Sequence, residues 1–216
     1  MIGTTNAGKV REFVELLGPH GIGCRSLRDV EGAVEVEETG ETFAENAALK
    51  ATLQARAVGA WVLAEDSGLV VPALDGAPGV RSARFSGAAP PGTTTPVDER
   101  NNDLLLGRMR ELAGRDRAAH YACHAALADP AGRIVAVADG ACHGQIAPAR
   151  RGGGGFGYDP LFIVREYGLT FGELPPAVKA VISHRARALR GILPAILHGP
   201  GAAAAARAVS RRPGFA

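Results

Sequence analysis

The sequence predicts an α/β protein with a mixed, curved central sheet flanked by helices. Helix-like and strand-like segments alternate through the first half, a long alternating hairpin dominates the second half, and no internal repeat interrupts the pattern. At 216 residues the chain is long enough for one domain or for two small lobes sharing a core. Residues 1–198 read as a single two-lobed domain, and residues 199–216 as an Ala/Arg-rich tail expected to be poorly ordered.

The elements follow in order. Val10, Phe13, Val14 and Leu17 recur at i, i+3, i+4 and i+7, a helix entered through a Thr-Thr-Asn-Ala-Gly-Lys turn and ended by Gly18-Pro19. Residues 21–27 fit a short strand, and 31–41 an acidic, turn-rich stretch. Thr42 and Glu45 form a T-x-x-E capping box for a helix from Phe43 to Ala57, stopped by Gly59. The apolar run Trp61–Ala64, then Glu65-Asp66-Ser67-Gly68, then Leu69–Val71 reads as strand, acidic turn, strand. Residues 75–95 form a long Gly/Pro/Ser/Thr loop, and Pro96–Ala113 a helix with Gly114 just past its end. Ala119, Tyr121, Cys123, Ala125 and Leu127 alternate on one strand, Asp129-Pro130-Ala131-Gly132 turns the chain, and a second strand starts at Arg133. A short strand at Leu161–Val164 and a final helix from Ser183, with a proline at 194, complete the pattern.

Composition narrows the function classes. A formal net charge of +2 excludes a polybasic nucleic-acid binder, and 46% hydrophobic with 21% charged residues excludes a disordered chain. The apolar runs are too short to span a bilayer, so the expectation is a soluble, cytoplasmic protein with neither a nucleic-acid nor a membrane partner. Cys24, Cys123 and Cys142 show neither a disulfide framework nor zinc-finger spacing. Lys and Arg together number 24, yet only Lys9, Lys50 and Lys179 are lysines. A compact ammonium suits a phosphate differently from a rigid guanidinium, so these three lysines invite a functional question, with incidental placement the alternative.

Four constellations could carry chemistry. Gly3-Thr4-Thr5-Asn6-Ala7-Gly8-Lys9 satisfies G-x-x-x-x-G-K, but Val10 stands where a P-loop needs Ser or Thr for Mg²⁺, and only two residues precede Gly3. A phosphate-binding turn and an ordinary helix cap at Thr5 or Asn6 both remain open. Glu37, Glu38, Glu65 and Asp66 offer hard oxygen ligands for Mg²⁺, the last two at a strand end; a solvated acidic turn is the alternative for Glu37 and Glu38. Gly152–Gly155 with Phe156, Gly157, Tyr158 and Asp159 could present backbone, a stacking ring and an acid to a base, or form a plain hairpin connection. Lys179 with Ser183, His184 and Arg185 could read a base edge, or start a basic helix. Together these are the parts of a nucleoside triphosphate hydrolase.

The motifs T-x-N-x-G-K, E-E-T-G-x-T-F-x-E-N-A, D-S-G-L, G-A-P-G-V-x-S-A-R, G-G-F-G-Y-D-P and K-x-x-I-S-H-R occur in this order between residues 3 and 197. In them the chain resembles the inosine/xanthosine triphosphate pyrophosphatase family, hydrolases of aberrant purine nucleotides. The resemblance implies hydrolysis of ITP, dITP and XTP to the monophosphate and pyrophosphate with Mg²⁺, in a cytoplasmic homodimer whose active site lies in a cleft between two lobes. It implies that Thr4, Thr5, Asn6, Ala7, Gly8 and Lys9 bind the triphosphate, and that Asp66 is proton acceptor and metal ligand. Ser67 would touch substrate, and Glu38 and Glu65 would support the metal. Phe156, Gly157, Tyr158, Asp159, Lys179, His184 and Arg185 would hold the nucleotide.

The chain departs from the family pattern at Thr5, where Gly is usual, and at Glu65, where Asp is commoner. The lead-in before Gly3 is short, so the start lies upstream or the sheet tolerates a clipped strand. A P-loop hydrolase releasing orthophosphate and a nucleotide sensor without turnover are the competing readings.

Overall fold

The computed structural model describes residues 1–112 and 114–199. All but the first residue of the predicted tail therefore lies outside the described residues, as does Ala113. Helices α1 (Ala7–Leu17) and α2 (Phe43–Val58) precede strand β1 (Val62–Val70), and α3 (Val97–Arg108) precedes the hairpin β2 (Ala118–Ala128) and β3 (Ile134–Ile146). Strand β4 (Phe162–Val164) and helices α4 (Pro176–Ile182) and α5 (His184–His198) follow. The strands form one sheet in the order β1-β2-β3-β4, with β3 and β4 antiparallel. Its parallel component is seen at Ile2, bridged to both Leu63 and Ser26. Two-sided backbone bonding there, Gly3 N–H to Leu63 O at 2.7 Å and Ile2 N–H to Arg25 O at 2.9 Å, lets a very short lead-in segment join the sheet.

The chain divides into two compact units. Unit 1 comprises Met1–Asp66, Cys123–Gly140 and the segment from Arg185 onward; unit 2 comprises Ser67–Ala122 and Ala141–His184. Strands β1, β2 and β3 each contribute residues to both.

Unit 1 has an apolar layer on each face of its strands. On one, Phe13 and Leu17 of α1 and Leu189 and Ile192 of α5 pack with Leu63, Cys123, Ala125 and Leu127. On the other, Ala47, Ala51 and Ala55 of α2 pack with Val62, Ala64, Ala126 and Ala128. Odd and even residues of a strand point to opposite faces, so the sequence alternation assigns the two layers. Alanines at i, i+4 and i+8 give α2 a flat seam that approaches the sheet closely. Unit 2 encloses an aromatic core in which Tyr121, Phe162 and Phe171 join Leu69, Leu105, Met109 and Tyr158.

Local signals operate as read. Thr42 caps α2 in a full capping box with Glu45, and Gly59 ends it at φ 60°. In the β2–β3 turn Asp129 accepts the N–H groups of Ala131 and Arg133 at 3.0 and 2.9 Å, while Gly132 takes φ 76°.

The structure corrects four expectations. The predicted strand–turn–strand at 61–71 is the single strand β1, because the buried acids at its centre meet cations and need no exposed turn. The strand expected at 21–27 shrinks to the bridge at Ser26. The helix expected to reach Ala113 ends at Arg108, while α4 occupies a segment for which the sequence predicts no element. The loop at 75–95 contains a 3₁₀ helix at Gly79–Arg84, where the Ser82 hydroxyl accepts Leu69 N–H at 2.9 Å and donates to Gly79 O at 2.6 Å.

Candidate active site

In unit 1 the acidic pair at the end of this unit's part of β1 is split by strand geometry. Glu65 shares its face with Leu63 and so faces α1 and α5. Its Oε1 accepts Lys9 Nζ at 2.7 Å and Arg185 Nη2 at 3.3 Å, and its Oε2 accepts the Cys123 thiol at 3.4 Å. Glu12, one turn beyond Lys9 on α1, pairs with the other guanidinium nitrogen of Arg185. Burial alone would raise the Glu65 pKa; the Arg185 guanidinium and the Lys9 and Lys50 ammoniums outweigh it and hold the carboxyl well below the usual range.

Asp66 shares its face with Ala64 and so faces α2. It accepts Lys50 Nζ at 3.0 Å and Asn46 Nδ2 at 3.2 Å. Lys50 Nζ also donates to Glu38 Oε1 at 2.7 Å. Glu38 is delivered by an irregular segment tied to α2: Gln54 exchanges hydrogen bonds with the Val34 backbone, and Gly40 N–H donates to Asn46 Oδ1 at 2.8 Å. A side chain at Gly40 would bring a Cβ within 2.7 Å of Asn46 Oδ1, which explains the glycine. Asn46 thus joins the Glu38 segment to Asp66. Burial raises the Asp66 pKa, with Lys50 and Lys9 opposing and Glu38 reinforcing, so its carboxylate is a stronger base than an exposed aspartate. Burial would lower Lys50, but Asp66, Glu65 and Glu38 hold its pKa above the ordinary value.

The glycine-lysine turn resolves into separate parts. Gly3 packs against β1, where an added Cβ would lie 2.7 Å from Ala64 Cβ. Asn6 is the N-cap of α1, its side chain accepting Lys9 N–H at 3.1 Å, and Thr4 Oγ1 accepts Asn6 N–H at 3.2 Å. Thr5 and Ala7 are exposed and Gly8 is half-buried. Among the described residues Asp75 is the one non-glycine with a positive φ, so Thr5 needs no left-handed backbone.

Unit 2 holds the remaining expected residues. Half-buried Ser67 follows Asp66 along β1. Asp159 is buried and folds back on its own loop, its Oδ2 accepting Phe156 N–H at 2.8 Å and Lys179 Nζ at 2.5 Å. The Lys179 ammonium also lies 4.7 Å from the Phe156 ring centroid. Tyr158 OH donates to Ser82 O at 2.9 Å. The His184 ring stacks on Tyr121, centroids 4.6 Å apart and planes 8° from parallel. Gly155 and Gly157 have φ 77° and 61°, and a Cβ on Gly155 would strike Asp159 Oδ2 at 1.9 Å.

Two expectations change. Glu65 was grouped with Asp66 and Glu38 as a metal ligand; it lies on the opposite strand face with its oxygens taken by Lys9, Arg185 and Cys123. Among the described residues no group of three or more His, Cys, Asp or Glu side chains is placed to hold a metal. Arg185, expected at a base edge, is buried against Glu12 and Glu65. Sequence reasoning passed over Asn46, Glu12, Asp98 and Asn102, and assigned Lys50 no role. Lysine scarcity was a usable signal: Lys9, Lys50 and Lys179 each pair with a buried acid, Glu65, Asp66 and Asp159 respectively.

The Ham1 family model matches residues 1–195. The dITP/XTP pyrophosphatase of Rhodopirellula baltica is 48% identical over 197 residues, covering 91% of this chain and 92% of its own. The protein of the same name from Geobacillus kaustophilus is 49% identical over 189 residues, covering 88% and 89%. Among solved structures, the Ham1 protein of Staphylococcus aureus superposes with a TM-score of 0.76 at 36% identity, covering 92% of this chain and 97% of its own. The nucleoside-triphosphatase / dITP/XTP pyrophosphatase of Mycobacterium abscessus has a TM-score of 0.69 at 38% identity, covering 89% and 97%.

Proposed function

The chain belongs to the Ham1 family, and from that premise we propose that it hydrolyses dITP, XTP and ITP to the nucleoside monophosphate and pyrophosphate. The observation that carries the reading is the convergence of Asp66 and Glu38 on one ammonium, with Asp66 made more basic by burial. Water attacking the α-phosphorus must lose a proton, and a carboxylate whose pKa is raised by burial is a better acceptor for it than an exposed one. Asp66 takes that role. Lys50 orients it and limits the rise in its pKa, and Asn46 fixes its second oxygen.

Asp66 and Glu38 fit Mg²⁺, since they already share one point charge, and this ion is commonly held by one or two carboxylates plus substrate phosphates. When bound, Mg²⁺ would supply electrostatic stabilisation of the charge that builds on the pyrophosphate leaving group. Glu65 holds Lys9 and Arg185 in place. Thr4–Lys9 take the triphosphate, with Lys9 adding positive charge at the N-terminus of α1. Ser67 touches substrate beside Asp66. Phe156 supplies the stacking face, its loop is held by Asp159, and Lys179 and His184 supply donors for the base and its sugar-phosphate, while Arg185 pairs with Glu12 and Glu65 beside Lys9. A 6-oxo purine offers an acceptor where adenine offers a donor, so those donors go unpaired against ATP.

The P-loop alternative loses support at two residues, because Gly3 serves sheet packing and Val10 stands where Ser or Thr is needed for Mg²⁺. No helix among the described residues is long and apolar enough to cross a membrane. The family reading also carries a homodimer acting in the cytoplasm, the former checked by sedimentation equilibrium.

Side-by-side assay of pyrophosphate and orthophosphate from ITP, XTP, GTP and ATP tests the function. Pyrophosphate from ITP and XTP is expected, with kcat/KM roughly 10⁴-fold above that for ATP. Asp66→Asn should lower the rate about 10²- to 10⁴-fold while the melting temperature holds. Orthophosphate as product, or full activity in that variant, would overturn the reading.

A further inference from the structure

Helix α3 carries no side-chain cap of its own; its N-cap is Pro96. Asp98, in its first turn, reaches the glycine-rich loop instead, and its Oδ2 accepts Gly157 N–H at 2.8 Å. Asn102, four residues later and so on the same helix face, donates Nδ2 to Gly157 O at 3.0 Å. Both backbone groups of one residue are therefore held by two side chains of one helix. That residue sits at φ 61°, between Phe156 and Tyr158. Asn102 is buried, and its Oδ1 has no hydrogen-bond partner among the described residues. Turning the amide over would set two oxygens against each other, so the Gly157 carbonyl fixes its orientation.

The start of the same loop is also fastened to α3. Arg150 Nη2 donates to Glu99 O at 3.0 Å and to Asp103 Oδ1 at 2.8 Å. Between these attachments Gly153, Gly154 and Gly155 line a cavity of 470 Å³ beside the helix. A glycine-rich segment of this kind has little stiffness of its own. Phe156 is held by Asp159, which accepts its N–H, and on its C-terminal side the chain is fastened to α3 at Gly157.

We propose that Asp98 and Asn102 are positioning residues for purine binding: they clamp the Gly157 peptide and so aim the Phe156 ring at the base. The inference rests on the assignment of the Phe156–Asp159 loop to the base. It predicts that loss of either hydrogen bond weakens binding of ligands that carry a base and leaves base-free ligands untouched.

The test compares Asn102→Asp, which is isosteric but turns a donor into an anionic acceptor facing Gly157 O, and Asp98→Ala with the wild-type chain. Asp98→Asn, which keeps an acceptor for Gly157 N–H, serves as the rescue. Inosine monophosphate carries the base and inorganic pyrophosphate does not, and both are measured as inhibitors of ITP hydrolysis. The first two variants should raise the KM for ITP and the Ki of inosine monophosphate about tenfold, the effect of one lost hydrogen bond to a docked group. The Ki of pyrophosphate and kcat should stay within about threefold, and Asp98→Asn should restore most of the loss. Equal shifts in both inhibition constants would mark general loosening and overturn the proposal. So would unchanged constants in both variants while Phe156→Ala weakens inosine monophosphate, an outcome that leaves the pyrophosphatase reading standing. A wild-type chain that releases no pyrophosphate from ITP overturns both.

Discussion

At the scale of single residues, neighbouring carboxylates in one strand meet different environments. Glu65 lies among two cations and a thiol and is held ionised; Asp66 shares a single ammonium with Glu38 and is held less acidic than usual. The contrast follows from strand alternation, which sends Glu65 toward α1 and α5 and Asp66 toward α2. Lys50 is the adjustable part of the second environment, because its charge opposes the rise that burial imposes on Asp66. Removing it in Lys50→Ala raises the Asp66 pKa further, so Asp66, the proposed base, becomes protonated at higher pH. The acidic limb of the kcat/KM profile for ITP should therefore move to higher pH, which a pH–rate profile of the variant beside the wild type checks. Arginine is a poor replacement, since a planar fork does not reproduce a point charge between two carboxylate oxygens.

At the scale of elements, α2 acts as the frame that brings Glu38 to Asp66. Its capping box fixes where the helix begins, its alanine seam fixes its distance from the sheet, and Gln54 and Asn46 hold the segment that carries Glu38. Thr42→Ala removes the cap that accepts Glu45 N–H at 3.1 Å and should cost about 1 kcal/mol of stability. Urea denaturation measures that cost. Helix α3 plays the corresponding part for the glycine-rich loop, through Asp98 and Asn102 at one end and Arg150 at the other. The capping box was legible in four residues of sequence, as was the Asp129–Gly132 turn. The role of α3 was not, because Asp98 and Asn102 look like ordinary polar helix residues until a loop more than fifty positions away is packed beside them.

At the scale of the whole molecule, the buried ion pairs couple stability to pH. Glu65 has a folded pKa well below its ordinary value of 4.5, so its contribution is present above that value and is lost as pH falls through the lower folded one. Glu65→Gln leaves Lys9 and Arg185 short of a buried partner and should cost about 3–5 kcal/mol at neutral pH. The gap between wild type and variant should stay level above pH 4.5 and narrow as the pH falls further, read from denaturant unfolding across that range. Sequence alone determined the α/β class, both ends of α2, the β2–β3 hairpin, the glycine-rich loop and the six motifs that resemble the family. Those features depend on side-chain periodicity, capping and turn chemistry within a few residues. Tertiary structure decided that β1 runs unbroken through Glu65 and Asp66, that only Asp66 joins Glu38, and that Arg185 lies between Glu12 and Glu65. A buried charge is tolerable only where its partners are, and the partner of Glu65 on α5 stands 120 residues away along the chain, beyond the reach of any local pattern.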